Sequence, residues 1–196
     1  LDVLLFYKNK KDGYFIEING GEIINENELN VDKGTSIKVK NIFFNVPARR
    51  NFLKSDFVEL RHIMHVFHNI AISHHGIEFS FINNDEEIFY LKKESLKKRI
   101  ISIFGEKIRE HLVPIDEKTQ IANLTGFILK PEYAKKSRST QYIFVNNRSI
   151  KSQFINHSIF SSFEGLLRDG FYPGYFLFIT MDPVKIDVNV HPNKTE

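Results

Sequence analysis

The 196-residue sequence contains no cysteine, which excludes disulfide frameworks, thiolate nucleophiles and cysteine-based zinc centres together. A reducing, cytoplasmic setting fits that absence. Long apolar runs are missing as well: nothing approaches the roughly 18 residues that a membrane helix needs, and no secretory leader pattern opens the chain. There is no G-x-S-x-G elbow, no G-x-x-x-x-G-K-[ST] phosphate loop and no G-x-G-x-x-G fingerprint. Those gaps argue against a hydrolase with its own covalent nucleophile. An excess of one charge is also lacking. The 27 Lys and Arg against 24 Asp and Glu leave a net +3, which permits nucleic-acid contact through a local patch without requiring it.

What the chain does have is apolar material. Hydrophobic residues make up 42% of it, with 19 Phe, enough to fill the core of one large domain or two small ones. It opens inside an apolar run, Leu1 to Tyr7, as an excised piece of a longer protein would.

Periodicity then divides the chain. "GYFIEING" alternates Tyr14, Ile16 and Ile18 against Phe15, Glu17 and Asn19, and "TSIKVKNI" sets Ile37 and Val39 inward against Ser36, Lys38 and Lys40. Both read as antiparallel strands, with Gly20-Gly21 as a turn and Asp32-Lys33-Gly34 leading into the second. "FFNVPARRNFLK" reads as a loop, because Pro47 biases Val46 away from helix.

From Ser55 to about His74 the spacing becomes helical. Leu60, Ile63, Met64, Phe67, Ile70 and Ala71 form the expected buried stripe, Ser55 is the expected N-cap, and Asp56 and Glu59 favour the positive end of the dipole. A hairpin around Asn84-Asp85 follows, then a helix on Leu96, Ile100, Phe104 and Ile108 bent near Gly105. Strands come next at about 120–129 and at "QYIFVN". A helix over 152–168, the doubly buried strand "YFLFITM" and a last strand over Val184 to Val190 complete the pattern. The order predicts an α+β fold with one mixed sheet and two helices. The domain bounds so drawn are 1–54, a connecting helix over 55–75, and 76–196.

His62, His65 and His68 follow Glu59 at intervals of three, a spacing found in carboxylate metal sites. No second Glu-x-x-His supplies the missing ligands, so no metal is expected; His62 and His65 read as a solvated polar face opposite the apolar stripe, with His68 at its edge. Basic residues gather in four places: Arg49, Arg50 and Lys54; Lys97, Lys98 and Arg99; Lys135, Lys136 and Arg138; Arg148 and Lys151. The third group, in the acid-poor "PEYAKKSRST", suits an arm that tracks phosphates. Base reading is not indicated, because no aromatics interleave with these clusters. Lys194 stands two residues beyond Pro192, and the fixed proline backbone would present its ammonium from a defined point as a charge for a phosphate.

Three segments carry a resemblance. "KGTSIKVKNIFFNVPARRNFLKS", "QYIFVNNRSI" and "IDVNVHPNKTE", in that order and spacing, resemble the amino-terminal region of the MutL DNA mismatch-repair proteins. The similarity extends over essentially the whole chain. It implies residual strands of a GHKL ATPase domain over 1–54, followed by a transducer-like α+β domain with a left-handed βαβ crossover. It implies that Gly34 and Thr35 close the nucleotide pocket, and that Lys194 reaches the terminal phosphate of ATP as a catalytic and cofactor-binding residue. DNA contacts would fall on Arg49, Arg50, Lys135, Lys136, Arg138, Arg148 and Lys151. The resemblance further implies ATP and Mg in the intact parent, mismatched duplex DNA held mainly by its backbone, a MutS-type partner, a homodimer, and a bacterial cytoplasmic location.

Two departures stand out. The family's Glu-x-x-x-x-Asn, adenine loop and glycine-rich lid have no match, so the fragment is expected to hold no cofactor and hydrolyse no ATP alone. The usual Val-Asn-Gly-Arg reads Val145-Asn146-Asn147-Arg148, where asparagine tolerates the positive φ of the turn. A stand-alone nucleic-acid-binding module is the rival reading. A type II topoisomerase transducer is a second rival, against which "NVPARRNFL" argues.

Overall fold

A computed structural model describes residues 2–9, 12–30 and 34–185. Lys194 and the part of the expected last strand beyond Lys185 lie outside the described residues; its first two residues, Val184 and Lys185, form a 3-10 turn (Pro183–Lys185) instead of strand. The chain forms two compact units, 1–61 and 62–196, and passes from one to the other between Arg61 and His62. Among the described residues no helix is long and apolar enough to cross a membrane.

The first unit is built on a four-stranded antiparallel sheet. Its strands are β1 (Asp2–Asn9), β2 (Asp12–Asn19), β3 (Glu22–Leu29) and β4 (Ile37–Lys40), in the order β3-β2-β1-β4. The Gly20-Gly21 turn joins β2 to β3 rather than to "TSIKVKNI", which pairs with β1 instead. Strand β3 escaped the sequence pattern because "EIINENEL" does not alternate, and all its residues are exposed. The inward placing of Ile37 and Val39 is corrected too. Both are more than half exposed, because nothing among the described residues covers β4. The expected loop at Pro47 contains a short helix, α1 (Pro47–Asn51); the proline sits in the first turn, where its missing N–H costs nothing.

Helix α2 (Asp56–Ser73) begins as the caps predicted. The Ser55 carbonyl accepts from the N–H groups of Val58 and Glu59, and Glu59 Oε1 accepts from Lys54 N–H at 2.8 Å. In the second unit the hairpin of β5 (Phe79–Asn83) and β6 (Glu86–Leu91) stands as its own two-stranded sheet, turning on Asn84 and Asp85 at positive φ. Helix α3 (Leu96–Phe104) stops at Gly105, whose φ is 92°, and a 3-10 turn over Glu106–His111 carries Ile108 into the core.

The main sheet comprises β7 (Leu112–Lys118), β8 (Ala122–Leu129), β9 (Gln141–Val145), β10 (Arg148–Ser149) and β11 (Tyr175–Met181), in the order β10-β9-β11-β8-β7. Among the described strands only β9 and β11 run parallel, which makes the sheet mixed as expected. Strand β7 was not legible, since Pro114 and its charged end break the alternation; an edge position tolerates both. Helix α4 (Gln153–Ser162) is shorter than the 152–168 expected, ending where Phe163 turns into the core.

Alternation along β9 and β11 fills two cores. Tyr142, Phe144 and Phe176 pack with Ile72, Ile100 and Leu129 on one face, while Ile143, Tyr175 and Leu177 meet Ile155 and Ile159 of α4 on the other. Gly126 lets β8 lie against β11: a Cβ there would sit 2.0 Å from the Phe176 carbonyl oxygen, and its φ is 130°.

Arg99 is corrected from surface cluster to buried pin. Fully buried, it donates to the carbonyls of Ala71, His75, Ile77 and Lys92 and pairs with Glu94 at 3.1 Å. One side chain thereby ties the end of α2 to the hairpin and to α3.

Candidate functional site

The second unit carries two adjoining clefts, one of about 450 Å³ where α2, β9, the β10–α4 segment and α4 come together, and one of about 560 Å³ between β9, α4 and Tyr172. Both are lined by Arg138, Gln141, Gln153 and Asn156; the first adds His65 and Lys151, the second His157 and Tyr172. The wall is fixed by small polar bonds. Ser149 Oγ donates to Asn69 Oδ1 at 3.0 Å, tying β10 to α2, and Ser152 caps α4 by accepting from Ile155 N–H.

The turn that leads into this wall is Asn146-Asn147, with φ of 47° and 65°, so asparagine does adopt the conformation the family's glycine would supply. Asn146 has a second role that the sequence did not disclose. Its side chain accepts from Met181 N–H at 3.1 Å and donates to Met181 C=O at 2.9 Å, while its own N–H donates to Ile179 C=O. The amide thus extends β9 by one pairing along β11. The asparagine pair Asn146-Asn147 at the strand end was the available signal.

On α2, His62 and His65 stand exposed as expected, and His68, expected at the edge of the apolar stripe, is half-buried. His65 lies against Tyr142, with ring centroids 5.8 Å apart, and His68 is enclosed by Phe67, Phe89 and Phe104. Of the expected apolar stripe, Ala71 is buried and Leu60, Met64 and Phe67 are half-buried, while Ile63 and Ile70 are exposed; Ile72, outside the stripe, is buried as well. Edge-on contacts with Phe89 of β6 and Phe104 of α3 draw His68 inward. Burial, with a contribution from His65, depresses the His68 pKa to about 4. Burial first, then Lys151 and His62, hold His65 below its ordinary range, as expected beside a cationic cleft.

Arg138 and Lys151 come together at the clefts, and Lys135 and Lys136 lie on the arm that leads to them. Arg148 is exposed on β10 but is not among the residues lining either cleft. Gly34, Thr35, Arg49 and Arg50 are exposed in the first unit, the first two in the bend before β4 and the last two on α1. The absence of interleaved aromatics is corrected in space. Lys135 lies 5.3 Å from the Tyr133 ring, Lys136 5.8 Å from Phe171, and Arg138 4.7 Å from Tyr172. Two of these rings belong to a segment far downstream, so no local reading could pair them with the arm.

Comparison with known proteins adds to this geometry. The family model described as "DNA mismatch repair protein, C-terminal domain" matches residues 100–196. The DNA mismatch repair protein MutL of Christiangramia forsetii is 50% identical over 189 residues, covering 96% of this chain and 31% of that protein. The corresponding protein of Flavobacterium psychrophilum is 50% identical over 193 residues, covering 96% and 32%. The chain therefore spans about a third of the length of these curated relatives. Among solved structures, the ATPase domain of Aquifex aeolicus MutL complexed with ADP gives a TM-score of 0.72 at 23% identity, covering 93% of this chain and 68% of that one. The N-terminal domain of a DNA repair protein gives 0.82 at 22% identity, covering 100% and 65%. At such identities the likeness is one of fold, an α+β arrangement of small antiparallel sheets and a five-stranded mixed sheet.

Proposed function

The chain belongs to the MutL family of DNA mismatch-repair proteins, and from that premise we propose that it couples the nucleotide state of an adjoining GHKL ATPase domain to DNA binding. In this reading residues 1–54 belong to the ATPase domain, α2 connects, and 76–196 form the transducer with a left-handed β9–α4–β11 crossover. The observation that carries it is the Asn146 clamp. One amide fastens the turn preceding the cleft wall to the end of β11, the strand from which the chain continues towards Lys194. A displacement at either place is felt at the other, because packed and paired elements move as one piece.

Lys194 acts as the phosphate sensor in this proposal, and Gly34 and Thr35 close the nucleotide pocket. The lysine contact grows in strength as charge develops on the transferring phosphoryl group. The Glu-x-x-x-x-Asn spacing occurs at Glu22–Asn27 and Glu78–Asn83, on or beside β3 and β5, and no step of hydrolysis is assigned to these residues. MutS-type recognition, homodimerisation and mismatched duplex as the substrate belong to the same proposal for the full-length protein.

Lys135, Lys136, Arg138 and Lys151 supply the phosphate contacts, with Arg49, Arg50 and Arg148 as further backbone contacts. A salt titration of duplex binding by the full-length protein tests this. The logarithm of the affinity falls linearly with the logarithm of salt concentration, and Lys151→Ala lowers the magnitude of the slope by about one. An unchanged slope and affinity in a folded variant removes the cleft from the DNA interface.

A further inference from the structure

The second cleft has features that phosphate contact alone does not use. Arg138, which lines it, ends the arm 130–138, and that arm is held to the segment before β11 by paired backbone bonds: Lys135 N–H to Tyr172 C=O at 3.2 Å and Tyr172 N–H to Lys135 C=O at 2.8 Å. That pairing sets the arm's cations beside aromatic rings, with Arg138 closest, 4.7 Å from the centroid of Tyr172. Two amides that line the cleft are each fixed by a structural bond on one side only. Gln141 Nε2 donates to Pro173 C=O at 3.0 Å, leaving Oε1 to accept. Asn156 Oδ1 accepts from Tyr175 O–H at 2.6 Å, leaving Nδ2 to donate. Burial pushes the Tyr175 phenol up to about 12, so it stays protonated and keeps the Asn156 amide in that orientation.

We propose that this cleft holds one unpaired base of a DNA strand, stacked on the Arg138–Tyr172 pair with its Watson–Crick edge on Gln141 and Asn156. The inference rests on the nucleic-acid reading above and deepens it from backbone contact to a base subsite. Every DNA base offers at least one donor and one acceptor on that edge, and pairing in a duplex occupies them. A site with one fixed acceptor and one fixed donor therefore selects for the unpaired state, not for base identity. The cleft's 560 Å³ lies in the range of small-ligand pockets. Lys135 and Lys136 hold the phosphates on either side, each carried on its own ring.

Fluorescence anisotropy with the full-length protein tests this at fixed salt, using a single strand, the same strand with a run of abasic sites, and the matching duplex. The base-bearing strand is expected to bind on the order of tenfold more tightly than the abasic strand. Tyr172→Ala removes that difference and Tyr172→Phe retains it, while affinity for the abasic strand holds. Equal binding of the two single strands by the wild type overturns the base subsite and leaves the backbone contacts standing. A Tyr172→Ala loss of the same size on both strands overturns the stacking role. Failure to bind any of the three overturns the nucleic-acid reading itself.

Discussion

The two units share antiparallel pairing, yet they bury very different amounts of themselves. In the first, Ile23, Ile24, Ile37 and Val39 stand between 52% and 63% exposed on β3 and β4. In the second, the main sheet is covered by helices on both faces, and Tyr142, Phe144, Tyr175 and Phe176 on its two central strands are buried. Backbone hydrogen bonds shape both sheets. A covering layer is what turns a sheet into a stable unit, because the faces must leave water. On the proposed function the rest of the ATPase domain covers the first sheet, while the second unit carries its own core and can act as a rigid lever.

The comparison breaks most visibly at Arg99. Arg99→Met leaves four carbonyls and Glu94 without their donor, and is expected to cost about 3–5 kcal/mol in urea unfolding followed by far-UV circular dichroism. Ile24→Ala, on exposed β3, shifts the same curve by less than about 0.5 kcal/mol. Equal effects would mean that the units do not differ as described. Gly126→Ala comes next, at roughly 2–4 kcal/mol, since the new methyl meets the Phe176 carbonyl and the backbone stays at positive φ.

Acid sharpens the contrast by a smaller amount. The folded His68 pKa is depressed to about 4 against an unfolded value near 6.5, so the unfolded chain takes up the proton first as pH falls. The stability of the second unit is then full above about pH 6.5 and declines towards pH 4, by at most about 1.4 kcal/mol per pH unit and less where solvent reaches the ring. His68→Leu flattens that limb of the pH–stability profile. An identical acid limb in the variant assigns the loss to another group.

Much of the second unit was legible because period and punctuation agreed there. Asn84-Asp85, Gly105 and the "YFLFITM" run each marked a feature that the structure contains. On α2 periodicity ranks side chains by polarity, which placed His62 and His65 on the exposed face and His68 at its edge; the enclosing rings of Phe89 and Phe104 were not legible, since they come from other elements. Arg99 looked like its neighbours Lys97 and Lys98 in sequence, and only tertiary carbonyls identify it as a pin. Of the candidate site, the cations were visible one by one. Their aromatic platforms and the fixed amides of Gln141 and Asn156 were not, since Phe171, Tyr172, Pro173 and Tyr175 reach them through the fold.

Coupling between nucleotide and DNA is the claim on which the account turns. It is tested most directly by duplex affinity of the full-length protein, with and without a non-hydrolysable ATP analogue, in wild type, Lys194→Ala and Asn146→Ala. The account predicts that the analogue changes wild-type affinity several-fold, and that both variants bind the analogue and the duplex but lose the dependence of one on the other. The same analogue-dependent change in all three proteins would contradict it.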